Sequence, residues 1–380
     1  MNTEHEPTRL KIGEGYISGY LSVFLGLVSV GGVLCFLFPE FLTTPEFRSQ
    51  YPVEVFRQVL HGCLLVSLAL ALLSVGLCGK KTPALVGAGI SGVAIWMGGA
   101  GVAIRQFGGA EIHLSLDWLL LDLLVLTCLF LPLELFWPKH RQQTRFHREW
   151  KTDLIYFVIG HLFVQSMAVT VQAPAVFLFG SLQLGGLHDS VQSLPFAVEL
   201  VLVLLVADLF QYGAHRAFHR IPVLWRFHSV HHSIRNIDWL AGSRLHLVDI
   251  VITRGFSFIP LYVLGFSTGV FHTYVVIVSL QAVLAHANTR LPFGPLKHIL
   301  VSPQYHHWHH STDPSVYDKN FAIHFPLIDR IFGTCHQPGD DWPEATGLVD
   351  TAFPKGFLRQ FAFPFRHDPA HTDVPEASER

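Results

Sequence analysis

The sequence predicts an all-α fold, a polytopic bundle of transmembrane helices. Three observations carry that reading. Half of the 380 residues are hydrophobic and only 14% are charged. The mean hydropathy is +0.39. Several apolar runs reach the roughly 20 residues that a helix needs to cross a bilayer. The net charge of −2 says little about partners, because in a membrane protein the placement of Lys and Arg among the loops matters more than their sum. No nucleic-acid partner is expected. Cys35, Cys63, Cys78 and Cys128 lie in or beside apolar runs and Cys335 in a polar segment. An odd, scattered set of this kind makes no disulfide framework. The polar, acidic start MNTEHEPTRLKIGEGY is not expected to be a secretory leader or transit peptide.

Apolar runs at about 16–38, 58–78, 83–104, 116–137, 154–180 and 195–214 give six expected spans. Arg9 and Lys11 precede the first, Lys80 and Lys81 follow the second, and Lys139, Arg141, Arg145, Arg148 and Lys151 follow the fourth. The alternate loops carry only Arg48, Arg57 and Arg105, and 181–194 carries no Lys or Arg. The positive-inside bias therefore puts the N-terminus and the segment after the sixth span in the cytoplasm. The first four spans read as a structural bundle, with Asp117, Asp122 and Glu134 near interfaces where they can reach water. Residues 138–151, basic with interspersed aromatics, suit either the headgroup surface or a solvated loop. A stretch from Ile250 to Ala285, interrupted by Pro260, Gly265 and Gly269, reads as a hairpin that enters the membrane and returns. The Pro-rich, charged residues 364–380 read as a disordered tail.

Thirteen of the 24 histidines fall between Asp208 and His310. They form three groups: His215 and His219; His228, His231 and His232; His306, His309 and His310. Residues at i, i+3 and i+4 share one helical face, so each group can aim its imidazoles at one point. Eight nitrogens exceed the three protein ligands of a catalytic zinc and suit two metals. Imidazole serves Fe, Zn, Cu and Ni alike, so ligand type alone leaves the metal open. No cysteine lies among the groups, which argues against an iron–sulfur cluster or a thiolate zinc site. His286, at the end of the hairpin and followed by Ala287 and Asn288, is a ninth candidate ligand, and Asn288 is expected beside the site. Asp208, two helical turns before His215, is expected to accept the N–H of a metal-bound imidazole. His246, standing alone, is read as a neighbour of the metals or of substrate. The fold expected is then a transmembrane bundle with a cytoplasmic, histidine-rich helical cap holding a dimetal centre.

The spacing HxxxH, HxxHH and, after a long apolar interval, HxxHH resembles the fatty acid hydroxylase and sterol desaturase superfamily of membrane di-iron oxidases. The flanks DLFQYGAHRAFHR, FHSVHHSIRNIDWLAGSRLH, SPQYHHWHHSTDPSVYDKNF and PLIDRIFGT are similar too, and the resemblance covers about residues 150–340. One departure is Leu247, where members often carry Pro after the histidine. The resemblance implies two non-haem Fe ions and O₂ as co-substrate, with His215, His219, His228, His231, His232, His306, His309 and His310 as ligands and His286 beside them. It implies hydroxylation of an unactivated C–H bond of a lipid drawn from the bilayer. No cytochrome b5-like domain is visible, so electrons are expected from a separate ferredoxin-, cytochrome b5- or reductase-type donor. Residues 1–137 are expected to form a four-span region, 138–345 the catalytic domain and 346–380 the tail. The expected setting is a bacterial inner membrane rather than the endoplasmic reticulum. Desaturation within the same superfamily is the near alternative; a membrane zinc hydrolase or a metal transporter is the distant one. Transport would call for ionisable residues along several spans, whereas here they gather at one face.

Overall fold

The computed structural model describes residues 13–44, 48, 52–77, 81–104, 113–144, 146–166, 168–182, 184–349 and 353–366. Arg9, Lys11, Lys80, Arg105 and Arg145, on which the charge alternation partly rests, lie outside the described residues, as do Cys78 and residues 367–380 of the tail. Among the described residues the secondary structure is helical, and the only β pairing consists of isolated bridges, Pro138 with Thr289 and Ser311 with Thr346. Among the described residues, seven helices are long and apolar enough to cross a membrane: Tyr16–Leu37, Val53–Leu77, Thr82–Gly101, Leu116–Phe136, Phe196–Arg220, Leu247–Leu264 and Thr268–His286. The chain divides into two compact units.

The first unit comprises Met1–Cys128, Thr144–His147 and His161–Ser166. It packs α1 (Tyr16–Leu37), α2 (Pro39–Leu42), α3 (Val53–Leu77) and α4 (Thr82–Trp96), with the start of α5 (Leu116–Phe136). In lipid there is no hydrophobic drive between helices, so small residues and interhelical hydrogen bonds supply the contact. Ser22, Ser67 and Ser91 are fully buried; the Ser67 hydroxyl donates to Ser22 O at 2.8 Å and stands 2.7 Å from that of Ser91. A Cβ on Gly87 would lie 2.2 Å from Ser22 Oγ, so only glycine permits this approach of α4 to α1.

The second unit comprises Leu129–Gln143, Arg148–Gly160 and Met167–Arg380. Its helices are α6 (Trp150–Ser166), α7 (Ala168–Phe179), α8 (Gly185–Gln192), α9 (Phe196–Arg220), α10 (Pro222–His232), α11 (Leu247–Leu264), α12 (Thr268–His286), α13 (Pro303–His309), α14 (Pro326–Ile331) and α15 (Phe357–Ala362). Within the expected span 154–180 the described residues are helical over α6 and α7, and residue 167 between them lies outside the described residues. Glu149, just before α6, and Asp153 in its first turn bind Arg244, and Gln192 at the end of α8 donates to Gly265 O at 2.7 Å. The expected hairpin is α11 and α12, turned at Gly265, whose φ of 64° suits a residue without Cβ. Val203 and Ala207 of α9 pack with Leu261, Val270, Tyr274 and Val278 of the hairpin. Ile221 is extended and Pro222 opens the next helix, so α9 ends and α10 folds back across its end.

Candidate metal centre

Three short helical segments and the end of α12 converge beyond the apolar core. All nine candidate histidines are buried, none more than 7% exposed. They fall into two clusters whose ligand nitrogens lie within 4.8 Å of one another: His215, His219, His228, His232 and His309 in one, His231, His286, His306 and His310 in the other. The i, i+4 and i, i+3 spacings explain the split. On α10, His228 and His232 turn to the first cluster and His231 to the second; on α13, His306 and its neighbour His310 serve the second and His309 the first. The clusters adjoin, with the rings of His232 and His310 stacked at 4.5 Å.

The outer nitrogens fix which inner ones are bare. His215 Nδ1 lies 2.8 Å from Phe321 O, His231 Nδ1 3.2 Å from Arg244 O, His286 Nδ1 2.7 Å from Ala282 O and His309 Nδ1 2.8 Å from Lys319 O. A carbonyl can only accept, so each Nδ1 carries the proton and each Nε2 presents a lone pair. His228 Nδ1 donates likewise to the Asp249 carboxylate at 2.6 Å. Yet His215 Nε2 and His228 Nε2 face each other at 3.1 Å, and His231 Nε2 and His286 Nε2 at 3.2 Å. Two bare lone pairs at that distance repel unless a cation lies between them. Each cluster holds one such pair, and His309 Nε2 is buried with no hydrogen-bond partner among the described residues. This donor set fits two metal ions.

Burial, followed by the charge each neighbouring imidazole would bring, pushes the pKa of His232, His309 and His310 well below the ordinary histidine value; the same causes act on His231 and His306. These rings are therefore neutral at physiological pH, the state in which imidazole can ligate.

The carbonyls that orient the rings are themselves held. The segment 321–325 is fixed by two buried carboxylates. Asp329 accepts from the Phe321 and Ala322 N–H, both at 2.9 Å. Asp208 accepts from Ile323, His324 and Phe325 at 2.8, 3.1 and 2.8 Å. The partner expected for Asp208, a histidine N–H, is thereby corrected: seven residues are about 10 Å of helix rise, beyond the reach of a carboxylate, and the backbone of 323–325 passes at its own level. His246 joins neither cluster. Its Nδ1 accepts from the Val248 N–H at 3.1 Å, capping α11, its Nε2 donates to Phe361 O at 3.1 Å, and its ring stacks on Phe361. The Asn288 side chain bonds the His140 backbone, accepting from His140 N at 2.8 Å and donating to His140 O at 3.3 Å.

Sequence reasoning missed Asp249, Arg244, Gly242 and Asp318. Arg244 is fully buried between Asp153 and Glu149, which fixes the carbonyl that His231 meets. A Cβ on Gly242 would lie 2.8 Å from the His286 ring. Asp318 Oδ1 is 3.5 Å from His219 Nδ1. An acid three residues after His246, at the head of an apolar run, was the available signal for Asp249.

Two buried imidazole clusters at the end of a bundle of apolar, membrane-length helices make a site compatible with metal ions. Residues 200–334, which contain every one of the nine histidines, match the family model described as fatty acid hydroxylase. The chain is 35% identical over 172 residues to the ornithine lipid hydroxylase OlsE of Rhizobium tropici, covering 45% of this chain and 51% of that protein. It is 32% identical over 137 residues to the alkylglycerol monooxygenase of Danio rerio (35% and 29%) and 29% identical over 157 residues to the fatty acid hydroxylase vlmA of Lecanicillium sp (37% and 42%). The matches thus span about half or less of these relatives' lengths. No solved structure matches the chain.

Proposed function

We propose that this protein is an integral membrane di-iron oxygenase that hydroxylates an unactivated C–H bond of a lipid, sterol, fatty acyl or related. The observation that carries this is the pair of buried, all-imidazole clusters, each with two bare nitrogens facing one another. His215, His219, His228, His232 and His309 would hold one ion and His231, His286, His306 and His310 the other. Bound iron supplies the one-electron and O₂ chemistry that side chains lack. The chain's own part is to aim the imidazoles through Asp249 and the carbonyls of Arg244, Ala282, Lys319 and Phe321, and to exclude water. Overall a C–H bond, O₂, two protons and two electrons become C–OH and water. The electrons come from an external donor of ferredoxin, cytochrome b5 or reductase type.

The names of the relatives, hydroxylases and monooxygenases, favour oxygen insertion over desaturation. Residues 138–345 would be the catalytic domain, 1–137 a four-span region and 346–380 a tail. The catalytic face would be cytoplasmic, in a bacterial inner membrane. The test is mass spectrometry of lipids supplied to the reconstituted protein with reductant and O₂. A product gaining one oxygen atom supports the reading; loss of two hydrogens alone would make it a desaturase, and no oxidised product would overturn it.

A further inference from the structure

Two short apolar segments lie outside the seven spans. One is the turn Gly294–His298 with Ile299 and Leu300 after it; the other is α14 with Phe332. Leu296, Ile299, Leu300, Leu327, Ile331 and Phe332 are 37 to 69% exposed. The segments are neighbours: the Val301 N–H donates to His324 O at 2.9 Å, and Arg330 Nη1 to His298 O at 3.0 Å. Together they make a contiguous apolar face.

Two helices measure the depth of that face independently. Glu199, in the first turn of α9, accepts from Ser267 N at 2.6 Å and Ser267 Oγ at 2.8 Å. The start of α9 and the tip of the hairpin therefore share one plane, on the side of the unit away from the histidines. Asp208 is twelve residues past Phe196, about 18 Å of helix rise, and it binds the backbone of 323–325. Gln281 is fourteen residues past Ser267, about 21 Å, and its Nε2 donates to Val301 O at 2.7 Å and Ile323 O at 3.2 Å. Tyr212, about 24 Å from the plane, stacks on Phe332 at 4.9 Å. The hydrocarbon core of a bilayer is about 30 Å thick. Both segments thus stand about 18 to 24 Å from that plane by α9 and about 21 Å by α12, inside the near boundary of a hydrocarbon core that begins at that plane. His215 and His286, each nineteen residues along its helix from the same plane, come at about 28 Å.

The geometry points to these two segments as an interfacial collar, immersed in the acyl-chain boundary of the leaflet nearer the histidines and seated under phospholipid headgroups. Charge fits that occupant. Arg290 and Arg330 are exposed and have no carboxylate partner among the described residues; Arg330 donates instead to His298 O and Gln337 Oε1. A guanidinium above a buried apolar face is the arrangement that anionic phospholipid phosphates favour.

The test places single spin labels in the full chain, with native cysteines changed to Ala, in nanodiscs of phosphatidylcholine and phosphatidylglycerol. Ile299→Cys and Ile331→Cys report the collar, Val276→Cys in α12 the lipid reference and Glu344→Cys the water reference. The collar labels should collide with O₂ more than with nickel-EDDA, as at Val276. Nickel-EDDA collision equal to that at Glu344 would overturn the proposal, and immobilised labels shielded from both reagents would overturn it in favour of a protein partner or a second copy. With R290Q and R330Q together, the phosphatidylglycerol retained relative to phosphatidylcholine in detergent should fall at least twofold. An unchanged ratio would refute the headgroup contact. No readout here depends on metal or activity.

Discussion

Asp249→Asn isolates what a single buried carboxylate does for the metal centre. Asp249 is 3% exposed and its Oδ2 accepts from His228 Nδ1 at 2.6 Å, while Oδ1 accepts from the Thr253 hydroxyl at 3.1 Å. Asparagine keeps the size and one acceptor oxygen but removes the charge that makes His228 a more basic ligand. Loss of such a carboxylate partner costs about 10- to 100-fold in metal affinity, which is about 1.4 to 2.8 kcal/mol. The effect should fall on the first cluster, since Asp249 touches none of the second cluster's rings and His231 and His286 there are oriented by the carbonyls of Arg244 and Ala282. Anaerobic competition of Fe(II) against a chromophoric chelator would show one of two sites weakened at least tenfold, with thermal unfolding of the metal-free protein little changed. Asp249→Ala should weaken it further, because the His228 N–H is then left dry and unpaired. An affinity within twofold of wild type for D249N, at unchanged fold, would refute the reasoning that this carboxylate tunes the ligand.

Gly242→Ala should act on the second cluster: the added Cβ meets the His286 ring at 2.8 Å, so the variant should lose about one metal per chain by elemental analysis while D249N-type effects on the first cluster stay absent. Asp208→Ala leaves three backbone N–H groups of 323–325 without their acceptor, each worth about 1 kcal/mol or more, and should lower the unfolding midpoint by several degrees while also weakening metal binding through His215. Acid should destabilise the metal-free protein. His231, His232, His306, His309 and His310 have folded pKa values depressed by burial and neighbouring imidazoles, so below about pH 6.5 the unfolded chain binds protons that the native state refuses. Stability then falls as pH drops, by up to about 1.4 kcal/mol per unit for each histidine so held, and a midpoint rising from pH 7 to pH 5 would contradict it.

Much of this was legible in the chain because helical periodicity is a local property. The i, i+3 and i, i+4 spacings brought together all three histidine groups, and His286 was found because it ends an apolar run aimed at the same place. What spacing alone does not encode is which imidazole of a group serves which cluster; His231 and His232 are adjacent yet diverge by a helical step, and that depends on where α12 and α13 arrive. Asp208 shows the same limit. Its face on α9 was readable, but its partner is a loop more than a hundred residues away. Gly242 and the carbonyls of Lys319 and Phe321 carry no side-chain signature at all.

The central claim is that two metal ions sit in these clusters, and metal content tests it most directly. Elemental analysis of protein purified in mild detergent should give about two irons per chain. His231→Ala and His309→Ala, one from each cluster, should each remove about one, and together both. A single zinc per chain, or two metals that survive the double substitution, would contradict the account.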